Sequence, residues 1–330
     1  MDTLPFFDHA KLGLELAMLS PRFDVLVDKH FEGKSELKIR GKVEIRKDSE
    51  SEEPTERCVF TNCANSVHLP LSDFTMPNKI RISFLQISYI DHSVIAFIRS
   101  NQQNFDGKGT IFTLSVWSYK SNVQPIWDVL AREIWPIFAT NIRRLSMPTG
   151  AHFDNLSRLI SPTILFDLNL SLIESGVLPD VLGDLDGPNA TSAGQMLSKW
   201  LHSPRKDGQA KRLFCFAVNG SATYEWVNSY KEAFLRAITT SFACYAIKFN
   251  IRKLQPLIVP FELVNNRTNE KLTLSKESGW EMKRWQIGKT VQWEEENWNN
   301  LNKVRFELCG DEKCIGPLSP PANCAEVNYT

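Results

Sequence analysis

Short apolar runs alternating with helical stretches dominate the chain from residue 80 to residue 252. The spacing predicts strands at 82–90, 110–117, 144–147, 168–173, 213–218 and 245–251. Between them it predicts helices at 93–101, 126–138, 153–165, 192–201 and 230–242, the second bent or divided near Pro136, which has no N–H to donate. Helices of this length between strands imply parallel strands joined by right-handed crossovers. The strand spacing is uneven, so an α/β body shaped as an irregular leucine-rich-repeat-like arc suits it better than a closed barrel. A doubly wound sheet is the alternative, though no Gly-rich strand-to-helix turn marks a nucleotide site in either case.

The pattern changes at both ends of this body. Near the amino end, Asp8 can cap a helix over 10–19 and Ser20-Pro21 can restart a second one. Phe23, Leu26, Val27 and Phe31 recur at three- to four-residue spacing, so one stripe of that second helix is apolar and must be covered. The charged run 47–57 reads as a loop, and the acidic, Gly- and Pro-containing stretch 178–191 as a long loop between two units. After Pro260 the pattern is all strand, at 261–264, 271–275 and 304–308, and reads as an antiparallel cap that closes the open edge of the sheet. The predicted organisation is a helical start and lead-in at 1–46, loop and linker at 47–79, body at 80–252, β-rich cap at 253–309, and a disordered tail at 310–330.

Composition narrows the function classes. The chain has 330 residues, 42% hydrophobic, enough to bury a sizeable core. Its 38 basic and 38 acidic residues balance, which gives no general attraction to phosphate backbones and argues against nucleic-acid binding. No basic start followed by an apolar run marks a signal peptide, and no stretch approaches the ~20 apolar residues of a membrane span. Seven cysteines without a dense framework fit a reducing compartment, cytosol or nucleus.

The amino-terminal stretch LPFFDHAKLGLELAMLSPRFDVLVDKHF, residues 4–31, resembles the second half of an F-box. The distance from Leu4-Pro5 to Phe23 is too short by roughly two helical turns for that pair to open the motif. The better alignment makes Phe6, Phe7, Asp8 and Leu12 its middle, followed by Leu16, with Phe23 in the aromatic slot. The motif's first helix is then missing. Further stretches, FLQISYIDHSVIAFIRS at 84–100, LSKWLHSPRKDGQAKRL at 197–213, PFELVNNRTNEKLTL at 260–274 and VQWEEENWNNLNKVRFEL at 291–308, are similar to a nematode family of F-box proteins with a long associated domain. What the resemblance implies is a substrate receptor of an SCF-type ubiquitin ligase, with Phe6, Phe7, Asp8, Leu12, Leu16 and Phe23 meeting a Skp-type adaptor and an unknown target protein held elsewhere.

Chemistry-bearing motifs are few. Gly288-Lys289-Thr290 lacks the earlier glycine of a phosphate loop and reads as a turn. Asp184 and Asp186 fail the calcium-loop pattern at its first and last positions. Cys58/Cys63 and Cys309/Cys314 each enclose four residues with no histidine inside, and read as free thiols. The six histidines are scattered, with no nucleophile elbow or HExxH helix, so no catalytic residue, metal or cofactor is expected. The tryptophans at 280, 285, 293 and 298 either anchor the end of the core or, as Trp285, Trp293 and Trp298, form a target-binding surface. A non-enzymatic protein-interaction receptor is therefore expected. The rivals are a scaffold uncoupled from the ligase and an unrecognised hydrolase with a spatially assembled site.

Overall fold

The computed structural model describes residues 39–47, 56–62, 65–69, 80–104, 110–116, 124–168, 170–181, 192–205, 207–218, 220–240, 244–251, 258–276, 279–291, 293 and 302–308. The F-box-like residues 4–31, Trp298, the paired cysteines' side chains and the tail at 310–330 lie outside them. The protein is mixed α/β with mostly parallel strands and several helices, divided into one compact unit at Met1–Phe138 with Asn299–Thr330 and a second at Ala139–Trp298.

In unit 1 the strands are β1 (Ile39–Lys47), β2 (Glu56–Asn62), β3 (Asn65–Leu69), β4 (Ile80–Ile87), β5 (Thr110–Val116) and β13 (Asn302–Leu308), in the order β5-β13-β4-β1-β2-β3. The run β5, β13, β4, β1 is parallel, and β2 and β3 continue it antiparallel. Helix α1 (His92–Ser100) follows β4; the Asp91 carboxylate accepts from the Val94 N–H at 2.9 Å, and Val94, Ile95, Phe97 and Ile98 are buried at helical spacing. Near Pro136 the predicted helix is indeed divided: α2 (Gln124–Val129) passes through a π-helical turn, Leu130–Ile134, into α3 (Trp135–Phe138). Proline cannot donate to the carbonyl four residues back, and a π turn re-routes the hydrogen bonds around the gap.

Two corrections concern this unit. The segment read as loop and linker, 47–79, contains β2 and β3, and the lead-in contains β1. The strand at 304–308 does not join an antiparallel cap on 261–275. It lies parallel between β4 and β5, Val304 facing Leu85 on one side and Phe112 on the other.

Unit 2 holds β6 (Ile142–Met147), β7 (Leu172–Ser175), β8 (Lys211–Val218), β9 (Tyr245–Ile251), β10 (Phe261–Asn265), β11 (Glu270–Ser275) and β12 (Trp280–Gln286). Their order is β10-β11-β12-β9-β8-β7-β6. The strands β6 to β9 are parallel and consecutive, and β12, β11 and β10 extend the sheet antiparallel from β9. The connections carry α4 (Gly150–Leu159), α5 (Ile164–Asp167), α6 (Ala193–His202) and α7 (Gly220–Arg236). Ser192 opens α6 with a full capping box, its hydroxyl taking the Gln195 N–H while the Gln195 side chain takes the Ser192 N–H. Helix α7 starts ten residues before the predicted Tyr230 and ends before the predicted 242, with Trp226, Val227, Tyr230 and Phe234 buried along one side.

Because strand side chains alternate, each strand of unit 2 shows one set of residues to the helices and the other away from them. Leu145, Ile173, Leu213, Ile247 and Met282 form a buried row under the helices, each no more than 1% exposed. Trp226 of α7 packs on Phe249 of β9 with ring centroids 5.7 Å apart, and Lys211 at the start of β8 donates to the Trp200 carbonyl of α6. Among the described residues no helix is long and apolar enough to cross a membrane.

Candidate functional site

Two groupings in unit 2 concentrate polar chemistry, one under the helices and one on the opposite sheet face. Under the helices, Glu270 of β11 and Arg284 of β12, each buried to 1% exposure, form an ion pair with Arg284 Nη2 donating to Glu270 Oε2 at 2.8 Å. Arg284 Nη1 reaches the Tyr230 hydroxyl at 3.4 Å and His202 Nε2 at 3.3 Å. The Tyr230 and Tyr245 hydroxyls are hydrogen-bonded to one another, and Tyr245 Oη lies 3.1 Å from His202 Nε2.

One proton arrangement satisfies this group. His202 Nδ1 faces the Ser198 carbonyl at 2.8 Å and must donate to it, which leaves Nε2 as an acceptor. Tyr245 then donates to Nε2, Tyr230 donates to Tyr245, and Arg284 donates to Tyr230. Burial, with the Arg284 charge nearby, lowers the His202 pKa to about 4, so the ring is neutral as this order requires. Burial, then the neighbouring Tyr230, raises the Tyr245 pKa well above its ordinary value. The residue types are those of catalytic sites, but Tyr245 is fully buried, Tyr230 is 1% exposed, and none of these side chains lines the cavity described next. The network ties the antiparallel hairpin to α6, α7 and β9, and its evident role is to fix their packing.

Lys211, 4% exposed, also donates to Ser203 Oγ at 2.7 Å and lies over the Trp200 ring at 5.0 Å. Burial, then the Arg205 charge, brings its pKa down to about 7. Its contacts close the carboxyl end of α6, where a cation suits the exposed carbonyls.

The opposite face carries a cavity of about 290 Å³ lined by Arg144, Leu172, Glu174, Arg212, Leu213, Phe214, Ala246, Lys248 and Glu281. Every one of these belongs to a strand, and no helix among the described residues of the unit lines it. The register lays two rows across it. One runs Arg144, Leu172, Arg212, Ala246, Lys283; the other runs Glu174, Phe214, Lys248, Glu281. Arg144 pairs with Glu174, and Lys283 with Glu281 at 2.8 Å. Burial, and then the Arg212 charge, lower the Arg144 pKa.

The tryptophans expected at a target surface divide here. Trp280 points under the helices, 6% exposed. Trp285, two positions beyond Lys283 on β12, lies on the cavity's face and packs edge-on against Trp293 with centroids 6.2 Å apart. Lys271 sits 5.6 Å over the Trp285 ring and Lys283 5.3 Å over the Trp293 ring. Trp285 and Trp293 are thus brought together, half-buried, beside a row of cations. Sequence reasoning had not joined Arg144, Arg212, Phe214 or Lys248 to them, because only the strand register does so.

No family model, no curated protein and no solved structure matches the chain.

Proposed function

We propose that the protein is a non-enzymatic interaction receptor that holds a target protein on the face of unit 2 turned away from its described helices. The observation that carries this reading is the Trp285–Trp293 pair on the same face as the 290 Å³ cavity, both rings capped by lysines. Aromatic side chains and arginine bury large areas at low entropy cost, and they are the residues that dominate protein-binding surfaces. The consecutive parallel order β6 to β9 supports a repeat-like arc, an architecture whose open sheet face is a common binding surface. Coupling to a Skp-type adaptor through Phe6, Phe7, Asp8, Leu12, Leu16 and Phe23 rests on the F-box resemblance, and places the receptor in an SCF-type ligase in the cytosol or nucleus. The alternative on the same face is an interaction scaffold uncoupled from the ligase.

A photo-crosslinking residue placed at Thr273, which faces Lys283 across β11 and β12, tests the reading in cells. The expected result is a cross-linked protein partner whose yield falls severalfold in Trp285→Ala. Equal capture with and without Trp285, or none, would remove the receptor reading. Chain-dependent ubiquitylation of the captured protein favours the ligase receptor; capture without it favours the scaffold.

A further inference from the structure

We propose that β10 takes up an extended segment of the partner protein as one further antiparallel strand, whose apolar side chains pack beside the end of α7. This rests on the receptor reading and names how the partner's chain is held. Among the described residues β10 pairs with β11 alone. The register shows which of its main-chain groups point outward. The Ile287 N–H donates to the Asn269 carbonyl, so Asn269 bonds toward β12 and, by alternation, Glu270, Leu272 and Leu274 bond toward β10. Their partners Asn265, Leu263 and Phe261 are thereby occupied. The N–H and C=O of Glu262 and Val264 are left directed off the edge of the sheet, which is the template that an added strand needs.

Apolar side chains gather around this edge. Helix α7 runs along β10: Lys231 lies 4.7 Å over the Phe261 ring, and the Asn265 side-chain amide donates to the Phe234 and Ala237 carbonyls at 2.6 and 2.9 Å. Leu235 and Ile238 follow Lys231 at helical spacing, on the flank turned toward β10. They are 48% and 72% exposed, and Val259 and Val264 are 68% and 43% exposed. Four of the six large apolar side chains exposed among the described residues thus meet at one edge, where scattered single ones are the rule. A strand about 4.8 Å beyond β10 would set one row of side chains beside Leu263 and toward Leu235 and Ile238. Its other row would lie beside Glu262 and Val264, on the face that carries Lys271 and Trp285. Glu262 already holds Lys271 at 2.7 Å, so main-chain bonding and apolar contact carry the recognition, not charge. A second copy of the chain is the less suited occupant. A stable dimer interface draws roughly 20–30 residues from each partner, whereas β10 offers five and is bounded by Pro260.

The test is fluorescence anisotropy of the full chain with a labelled peptide, Ser-Val-Thr-Val-Thr-Val-Ser, and with two versions of it N-methylated either at the threonines or at the valines. In the antiparallel register the threonines stand opposite Glu262 and Val264 and carry the bonding N–H groups, while the valine N–H groups face away from the sheet. Methylation at the threonines is therefore expected to weaken binding at least tenfold, and methylation at the valines to change it little. Val264→Pro removes an outward N–H that β11 does not use, and is expected to cost at least tenfold in binding with circular dichroism unchanged; Val264→Thr retains the N–H and the binding. Leu235→Glu, at an exposed position that folding does not depend on, is expected to weaken binding severalfold and decides the matter if Val264→Pro perturbs the fold. No binding of the unmethylated peptide, equal effects of the two methylations, the reverse order, or binding unmoved by Leu235→Glu overturns the assignment. A dimer in sedimentation that Val264→Pro dissociates overturns it too, in favour of a second copy. Trp285-dependent cross-linking at Thr273 without selective peptide binding would leave the receptor reading standing and remove this one. Selective peptide binding without cross-linking would do the reverse.

Discussion

Unit 2 builds its parallel sheet from strands that follow one another, β6 to β9, and adds a local antiparallel meander. Unit 1 instead completes its sheet with β13, inserted between β4 and β5 although most of the chain separates it from both. The difference is one of loop-closure entropy. Each pairing within β6 to β9 closes a short stretch, whereas β13 must be brought back before Val304, fully buried, repays the cost by packing between Leu85 and Phe112. Regular local connection puts the described helices of unit 2 on one face of its sheet; distant connection makes unit 1 dependent on a single late strand.

The sharpest way to break this comparison is Val304→Asp. An unpaired carboxylate at a fully buried site is expected to cost about 4 kcal/mol or more. Amide exchange should then rise across 80–116 while 142–286 stays protected. Simultaneous loss of protection in both regions would show that the two units do not differ in this way.

Next in size is the buried pair of unit 2. Glu270→Ala leaves the Arg284 charge enclosed without its carboxylate and is expected to lower stability by about 3–5 kcal/mol in urea unfolding. Glu270→Leu combined with Arg284→Met is expected to recover most of that loss, because the desolvation cost of both charges goes with them. A double variant as unstable as the single one would mean that the hairpin depends on the charges themselves.

A smaller effect follows from His202. Its folded pKa, about 4, lies below its ordinary 6.5, so between these values the unfolded chain binds a proton that the folded chain refuses. Stability is full above pH 6.5 and falls as pH drops toward 4. From pH 7.5 to pH 5 the loss from this residue is about 2 kcal/mol. His152, whose Nδ1 lies 2.5 Å from Thr149 Oγ1, is also lowered to about 4, mainly by burial, and adds a loss of the same sign. Urea midpoints measured across this range should flatten in His202→Gln; an unchanged slope would place the pH dependence elsewhere.

The alternation of strands and helices over 80–252 was legible because each element buries one face with its own period, and the edges of β9, α1 and α6 fall within about one residue of those expected. Strand β12 escaped notice. Its inward positions are Trp280, Met282 and Arg284, and a buried arginine turns an apolar alternation into an apparently polar run. Helix α7 was read short because Thr223, Tyr224, Trp226 and Val227 are weak helix formers whose place is set by packing rather than propensity. The parallel seat of β13 follows from partners distant in sequence, which local periodicity does not encode. The candidate face was half legible: Trp285 and Trp293 stand out by residue type, whereas Arg144, Arg212 and Lys283 become a row only through the register of five strands.

The place of β13 also sets a timetable for synthesis. On the ribosome β4 and β5 emerge first, but the slot between them stays empty until Asn302–Leu308 has been translated, after the whole of unit 2. At ~5–20 residues per second that wait is on the order of ten to forty seconds, during which two apolar strand edges are open to any passing chain. Unit 2 has all its described strands by Gln286, and so can mature before the strand that completes unit 1 has been made.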